Sequence, residues 1–245
     1  MAQAYPKLTF KQAKLMQVNK DDTVEVETAM GKKEVMSFDV LVLCTGFSYD
    51  KPVKDSKALT LNDRKKSLIE FNQKVTNAKS ILVAGAGVVG IELVGELAVK
   101  YGTDKSKKIG LCAKGQRLLP GLPQKASRLA DEFLRRHNVE ILYNTPFTPT
   151  TGKEKGYEVV IECTGYKYHT DFMKKHFYEA LAPNGQIYVN DLNQISGTDP
   201  RVNPIAQGLK GNIFAFGDCT QTSLNENKGA MSMNFMMPYI INNLR

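Results

Sequence analysis

Ser80–Ala84 is an almost wholly apolar run that leads without a break into Gly85-Ala86-Gly87-Val88-Val89-Gly90, after which strong helix formers fill 91–101. A short continuous apolar run, as opposed to an alternating one, is how a strand buried on both faces reads. A polar turn over 102–107 and a further apolar run over 108–113 follow. Strand, helix and strand are then complete within about 30 residues, the length that a βαβ unit needs. The chain is thereby directed towards a parallel sheet with crossover helices.

The same context separates a dinucleotide-binding GxGxxG from a chance spacing of glycines. Gly85 permits the tight turn, Gly87 lets the backbone approach a pyrophosphate, and Gly90 lets helix and strand pack closely. The helix start offers amides and the positive end of its dipole to the phosphates. The alternative is a glycine-rich turn that binds nothing. An NAD-preferring site usually carries Asp or Glu at the end of its second strand, to hold the adenosine ribose. Here that strand ends Leu111-Cys112-Ala113-Lys114, with Arg117 close behind and no acid over 111–120. A basic loop at this place suits a 2′-phosphate, so NADPH is preferred or admitted, unless Lys114 and Arg117 are ordinary loop cations.

Outside this unit, strands are expected at 8–15, Thr23–Thr28 with alternating Val24 and Val26, 33–36, and 38–43, the last apolar enough to be buried on both faces. Helical spacing of Leu61, Leu68, Phe71 and Val75 predicts a helix over Leu61–Asn77, with Asn62 or Asp63 as its cap. A second amphipathic helix is expected at 123–137, with Leu129, Phe133 and Leu134 opposite Arg128, Arg135 and Arg136. Further strands are expected at 139–143, 157–162 and 212–216. One signature recurs: Leu-Val-Leu-Cys44-Thr45-Gly46 and Val-Ile-Glu-Cys163-Thr164-Gly165 are like strand ends. They suggest two related nucleotide-binding folds in one chain.

Composition narrows the class. The 245 residues are 42% hydrophobic and 24% charged, and no apolar stretch approaches the roughly 18 residues of a membrane span. The net charge of +8 is spread over the first 150 residues without a basic block, which leaves no nucleic-acid motif and only a mild bias to anionic partners. Cys44, Cys112, Cys163 and Cys219 form no CxxC, and each follows apolar residues, as buried free thiols do. A reducing intracellular compartment, cytoplasmic or mitochondrial, is the expectation. Met1-Ala2 lacks the glycine of a myristoylation signal, and no apolar signal core follows. His137, His169 and His176 have no metal-ligand spacing, so no metal is expected.

The pattern Gly85-Ala-Gly-Val-Val-Gly-Ile-Glu92-Leu-Val-Gly95-Glu96-Leu, with Arg117-Leu-Leu-Pro120, the Thr-Gly ends at Gly46 and Gly165, and Asn212-Ile-Phe-Ala-Phe-Gly217-Asp218-Cys, resembles the pyridine-nucleotide disulfide oxidoreductase superfamily. It is most similar to the branch of ferroptosis-suppressor and apoptosis-inducing-factor-like proteins and to the type II NADH dehydrogenases. The resemblance implies an α/β chain with a complete Rossmann-type NAD(P)-binding domain at 60–167. That domain would be inserted into an incomplete three-layer FAD-binding domain made of 1–59 and 168–245. It also implies hydride transfer from NAD(P)H to FAD and on to a quinone-type acceptor. Carried over by position, Asp218, with Gly217, binds the FAD ribityl or pyrophosphate region, Thr45 and Gly46 line the FAD domain, and Thr164 and Gly165 are the matching second Thr-Gly end. Glu92 becomes the catalytic candidate, orienting the nicotinamide or relaying protons; its alternative is a first-turn helix acid favoured by the dipole.

The chain also departs from that pattern. No second GxGxxG occurs, Met1 falls within the expected β-meander of the FAD domain, and Tyr168-His169 replaces the family's Pro-Asn. FAD binding is accordingly in question, and an apolar strand edge is left that a protein partner would cover. Besides the oxidoreductase, two readings follow: a catalytically degenerate subunit of a larger assembly, with the mitochondrion as one of its two candidate compartments, and a nucleotide sensor. The apolar stretch 231–244 is expected to pack on the FAD domain, with a peripheral membrane or quinone-facing patch as its alternative.

Overall fold

The computed structural model describes residues 7–48, 58, 60–165, 167–199, 201–223, 237–239 and 241–242. In chain order the strands and helices are Ala13–Val18 (β1), Thr23–Thr28 (β2), Lys33–Ser37 (β3), Leu41–Leu43 (β4), Phe47–Ser48 (β5), Leu61–Asn77 (α1), Ser80–Ala84 (β6), Val88–Tyr101 (α2), Lys108–Cys112 (β7), Gln124–Arg136 (α3), Val139–Leu142 (β8), Thr151–Glu154 (α4), Val159–Glu162 (β9), Lys167–Tyr168 (β10), Ile187–Tyr188 (β11), Ile213–Ala215 (β12) and Thr220–Gln221 (β13). Two compact units emerge, Met1–Phe47 with Lys167–Arg245, and Ser48–Tyr166. Among the described residues no helix is long and apolar enough to cross a membrane.

The second unit is built on a parallel sheet of order β8-β7-β6-β9. Ile81 of β6 pairs with Ile109 on one side and Val159 on the other, so the strand that comes first in sequence lies inside the sheet. Its run is continuous because both faces are covered. Ile81 and Val83 belong to the larger core cluster with Val94, Leu97 and Leu134, while Leu82 and Ala84 pack with Cys112 and Tyr157. Gly110 is small for a stated reason: a Cβ there would lie 2.1 Å from the Tyr157 hydroxyl.

Helix α1 spans Leu61–Asn77 as its spacing predicts, but its cap lies two to three residues before the expected Asn62 or Asp63. Thr60 is the cap: its hydroxyl accepts from the Asp63 amide at 3.1 Å, and the Asp63 carboxylate accepts from the Thr60 amide at 3.0 Å. This reciprocal box satisfies donors at both ends of the turn. Thr60→Ala is expected to lower stability by about 1 kcal/mol in urea titration, an effect that Thr60→Ser should not show. In α3, Leu134 is buried as expected, but Leu129 and Phe133 are exposed. Phe133 instead stacks at a tilt on His137, with ring centroids 4.3 Å apart.

The first unit holds the antiparallel sheet β1-β2-β3 and the parallel pair β12-β4. Val24 and Val26 are buried as their alternation predicts, with Val18, Leu43, Phe177 and Ile213 in the same cluster. The first strand is not at 8–15. Ala13 pairs with Thr28 and Val18 with Val24, which sets β1 at Ala13–Val18 and leaves Leu8 and Phe10 exposed. Nor is 38–43 covered on both faces: Leu43 is buried, but Val40 and Val42 are exposed, and β4 pairs with β12 alone among the described strands. Cys44, next along, is likewise exposed, whereas Cys112, Cys163 and Cys219 are buried free thiols. Of the apolar stretch 231–244, residues 231–236, 240 and 243–244 lie outside the described residues; Met237, Tyr239 and Ile241 are exposed.

Candidate dinucleotide site

In an open parallel sheet, ligands bind beyond the carboxyl ends of the strands where the strand order reverses. That reversal is at β6, with β7 and β8 on one side and β9 on the other. A cavity of about 420 Å³ lies there, lined by Gly85, Ala86 and Gly87 after β6, by Cys112 to Arg117 with Pro120 after β7, by Thr145 and Phe147 after β8, and by Thr164 after β9. All four carboxyl ends contribute.

The turn after β6 is made by backbone constraint. Gly85 has φ +114°, and a Cβ on it would come within 2.8 Å of the Cys163 carbonyl oxygen. At Gly90 a Cβ would stand 1.8 Å from the Gly85 carbonyl oxygen, so helix and strand meet as closely as the spacing predicts. Gly87 differs: a Cβ there would meet no atom within 4 Å, and Gly87 lines the cavity. It is also the N-cap of α2, with no side-chain cap and no acid in the first turn of the helix. The amides of that turn therefore lack a side-chain acceptor, the condition that makes a helix start an anion site.

Lys114 and Arg117 are held at the same cavity by a pinned loop. Leu118 is fully buried in the core, the Leu119 amide donates to the Ala86 carbonyl at 2.9 Å, and the Asn144 amide donates to the Gly115 carbonyl at 3.1 Å. Leu119 takes a left-handed conformation, φ +49°, to turn the chain back. Arg117 Nη2 donates to the Leu122 carbonyl, and its Nε is buried without an acceptor. No carboxylate lines the cavity. Burial pushes the Cys112 thiol up from its ordinary range, so it stays neutral and adds no charge. Cys163, behind Gly85, is pushed up to about 11 by burial and then by the nearby Glu162.

Of the residues the sequence singles out, the structure thus gathers Gly85, Ala86, Gly87, Lys114, Arg117 and Thr164 at one cavity; Val88, Val89, Gly90 and Gly165 are not in its lining. Glu92 is exposed, also outside the lining, and not a first-turn acid, because α2 begins at Val88 and not near 91. Gln116, Thr145 and Phe147 escaped the sequence reading and carry no motif; the anchor Leu118 entered only as part of Arg117-Leu-Leu-Pro120, without its role in pinning the loop.

The repeated Thr-Gly ends share a conformation, with φ +61° at Gly46 and +64° at Gly165. Their threonines differ. Thr164 donates to Glu162 at 2.9 Å, while the Thr45 hydroxyl is buried without a partner. Thr45 lines a cavity of about 370 Å³ in the first unit, with Lys14, Leu15, Met16, His169, Asp171 and Phe172; Gly46, Gly217 and Asp218 are not in its lining. No hydrogen bond or ion pair holds the Asp218 carboxylate among the described residues, although Gln186 donates to its backbone carbonyl at 3.1 Å. The 245 residues contain one GxGxxG, and it belongs to the second unit.

Strand order, glycine turn and uncapped helix start define an α/β fold of the dinucleotide-binding class. Residues 4–233 match the profile of the pyridine nucleotide-disulphide oxidoreductase family, and the chain belongs to that family. It is 28% identical over 234 residues to apoptosis-inducing factor homolog B of Dictyostelium discoideum, covering 80% of this chain and 56% of that protein. It is 27% identical over 251 residues to the type II NADH:quinone oxidoreductase of Staphylococcus aureus, covering 87% of this chain and 57% of that one. Among solved structures, an engineered water-forming NADPH oxidase bound to NADPH superposes with TM-score 0.64 at 22% identity, over 95% of this chain and 52% of the other. The chain spans about half the length of the curated relatives it matches.

Proposed function

We propose that the protein works as a flavin-dependent NAD(P)H oxidoreductase delivering electrons to a quinone-type acceptor, with the second unit as its NAD(P)H site. The observation that carries this reading is the uncapped start of α2, opened by Gly87 onto a cavity that holds two cations and no carboxylate. Unfilled amide donors and fixed positive charge are what a pyrophosphate needs. Family membership supplies the flavin; its adenosine and pyrophosphate would need contacts beyond those that Thr45, Gly46, Gly217 and Asp218 can give. On this reading Glu92 belongs to the NAD(P)H-binding unit, where a carboxylate could orient the nicotinamide.

The test is the visible spectrum of the protein purified from its native source, before and after anaerobic addition of NADPH. A flavin band that bleaches is the expected result. A colourless protein would overturn the reductase reading. One observation favours a second reading, an interaction subunit without turnover: Val42 of β4 and Val40 just before it are exposed, and the other edge of β4 has no partner among the described strands. A colourless protein copurifying in fixed ratio with another chain would support that reading.

A further inference from the structure

We infer that the outer face of α3 docks a second copy of this chain, antiparallel across a two-fold axis, with Lys125 of each copy opposite Glu132 of the other. The inference lies outside the nucleotide cavity and does not depend on it.

Within the second unit α3 packs on α2 and β8, and it buries Ser127 and Leu134 in doing so. Its other apolar residues form a second line, about 100° round the helix from Leu134. Ala126, Leu129 and Phe133 follow one another at intervals of three and four residues, the a and d positions of a heptad. Leu129 is 54% exposed and Phe133 41%, and Leu122, which continues the line just before the helix, is 38% exposed. Exposed apolar side chains scattered singly are ordinary. A row with the period of a helix seam is a packing surface. The Phe133 ring already stacks on His137, whose Nδ1 lies 2.8 Å from the Phe133 carbonyl oxygen, so docking has little left to order there.

The charges beside the row decide what covers it. Lys125 and Glu132 stand on one flank, one heptad apart, while Ala130 and His137 hold the matching positions on the other flank. Among the described residues no side-chain hydrogen bond or ion pair engages Lys125 or Glu132, nor Arg128 or Arg136, although each arginine is four residues from Glu132. Away from the row, by contrast, Arg135 pairs with Asp131 at 2.8 Å. Two helices packed in parallel set unlike flanks together, which would leave Lys125 and Glu132 against Ala130 and His137. Packed antiparallel, each flank meets its own copy with the ends reversed, so that Lys125 meets Glu132 twice. A lipid surface would welcome the cations but hold Glu132 at the apolar boundary with no partner. The two-fold arrangement also closes on itself, so it stops at a dimer.

The test is sedimentation velocity of the whole chain at concentrations from about 1 to 200 μM. One helix pair about 20 Å long makes a small interface, under about 1,200 Å². A monomer to dimer equilibrium with a dissociation constant of about 10–100 μM is therefore expected. Lys125→Glu sets two pairs of like charges face to face and should weaken association about tenfold or more. Combining it with Glu132→Lys should restore the parent value, which a merely local disturbance of the helix would not do. Leu129→Gln should leave a monomer throughout. All three side chains are exposed, so these variants spare the core. A monomer at every concentration, a dimer indifferent to Leu129→Gln, or a charge swap that fails to restore association would overturn the inference. So would flotation with vesicles containing about 30% phosphatidylserine that Leu129→Gln abolishes, since the face would then belong to a membrane.

Discussion

Gly90→Val should leave the second unit largely unfolded, whereas Gly87→Ala should leave it folded and weaken NADPH binding by about tenfold to a hundredfold. The two glycines are three residues apart in one turn, yet they answer different demands. At Gly90 any Cβ would stand 1.8 Å from the Gly85 carbonyl oxygen and 3.0 Å from its carbon, both backbone atoms of the strand end. Neither can swing aside as a side-chain tip would, so α2 must shift off β6. Overpacking of this kind costs about 3 kcal/mol or more, a large part of the 5–15 kcal/mol that holds a typical domain. At Gly87 the added methyl meets no protein atom, and φ is −77°, open to any residue. What the methyl removes is room for a pyrophosphate at the helix start. Urea titration and NADPH calorimetry on both variants separate the two effects. A Gly87→Ala protein that binds NADPH like the parent would sink the assignment of this turn as a phosphate cradle.

How far the sequence could be read depended on whether the deciding information was local. Leu61–Asn77 and Ser80–Ala84 stand where their periodicity and bounding residues put them. Thr23–Thr28 shows the alternation of Val24 and Val26. The misread features depend on partners far away in the chain. The place of β1 is set by its register on β2, not by the apolar residues Leu8 and Phe10. Whether Val40 and Val42 are covered depends on what lies beside β4, about which their own hydrophobicity says nothing. Leu129 and Phe133 have the spacing of a buried stripe, but only Leu134 reaches the core. In the site, Gly85 to Gly87, Lys114 and Arg117 were legible from one βαβ unit. Thr145 and Phe147 were not, because they arrive at the cavity from the end of β8 and carry no motif. The alternative reading of Glu92 as a first-turn acid fails because α2 begins at Val88, and its first turn carries no acid.

A single carboxylate placed in β6 should also abolish the site, from beneath it. Leu82 is fully buried and belongs to the smaller cluster with Ala84, Cys112 and Tyr157, on the face opposite Ile81 and Val83. Leu82→Asp puts a charge there, and the Leu82 cluster itself is wholly apolar apart from the Tyr157 hydroxyl and the Cys112 thiol. An unpaired buried charge is among the few single changes that exceed about 4 kcal/mol. Hydrogen exchange should then show β6 to β9 unprotected, while β1 and β2 keep protection from their own cluster of Val18, Val24 and Val26. Retained protection in β6 would refute the account of that strand as the covered centre of the sheet. Leu82→Ala is the graded version, costing about 3 kcal/mol through lost transfer energy and the cavity left behind. Because Gly85 directly follows β6, only the folded sheet presents the nucleotide cavity, so NADPH must bind the folded state alone. At a hundred times its dissociation constant it should restore about 2.7 kcal/mol, nearly the whole of the Leu82→Ala loss. A melting transition of that variant that NADPH does not move would separate the cavity from the strand that is said to build it.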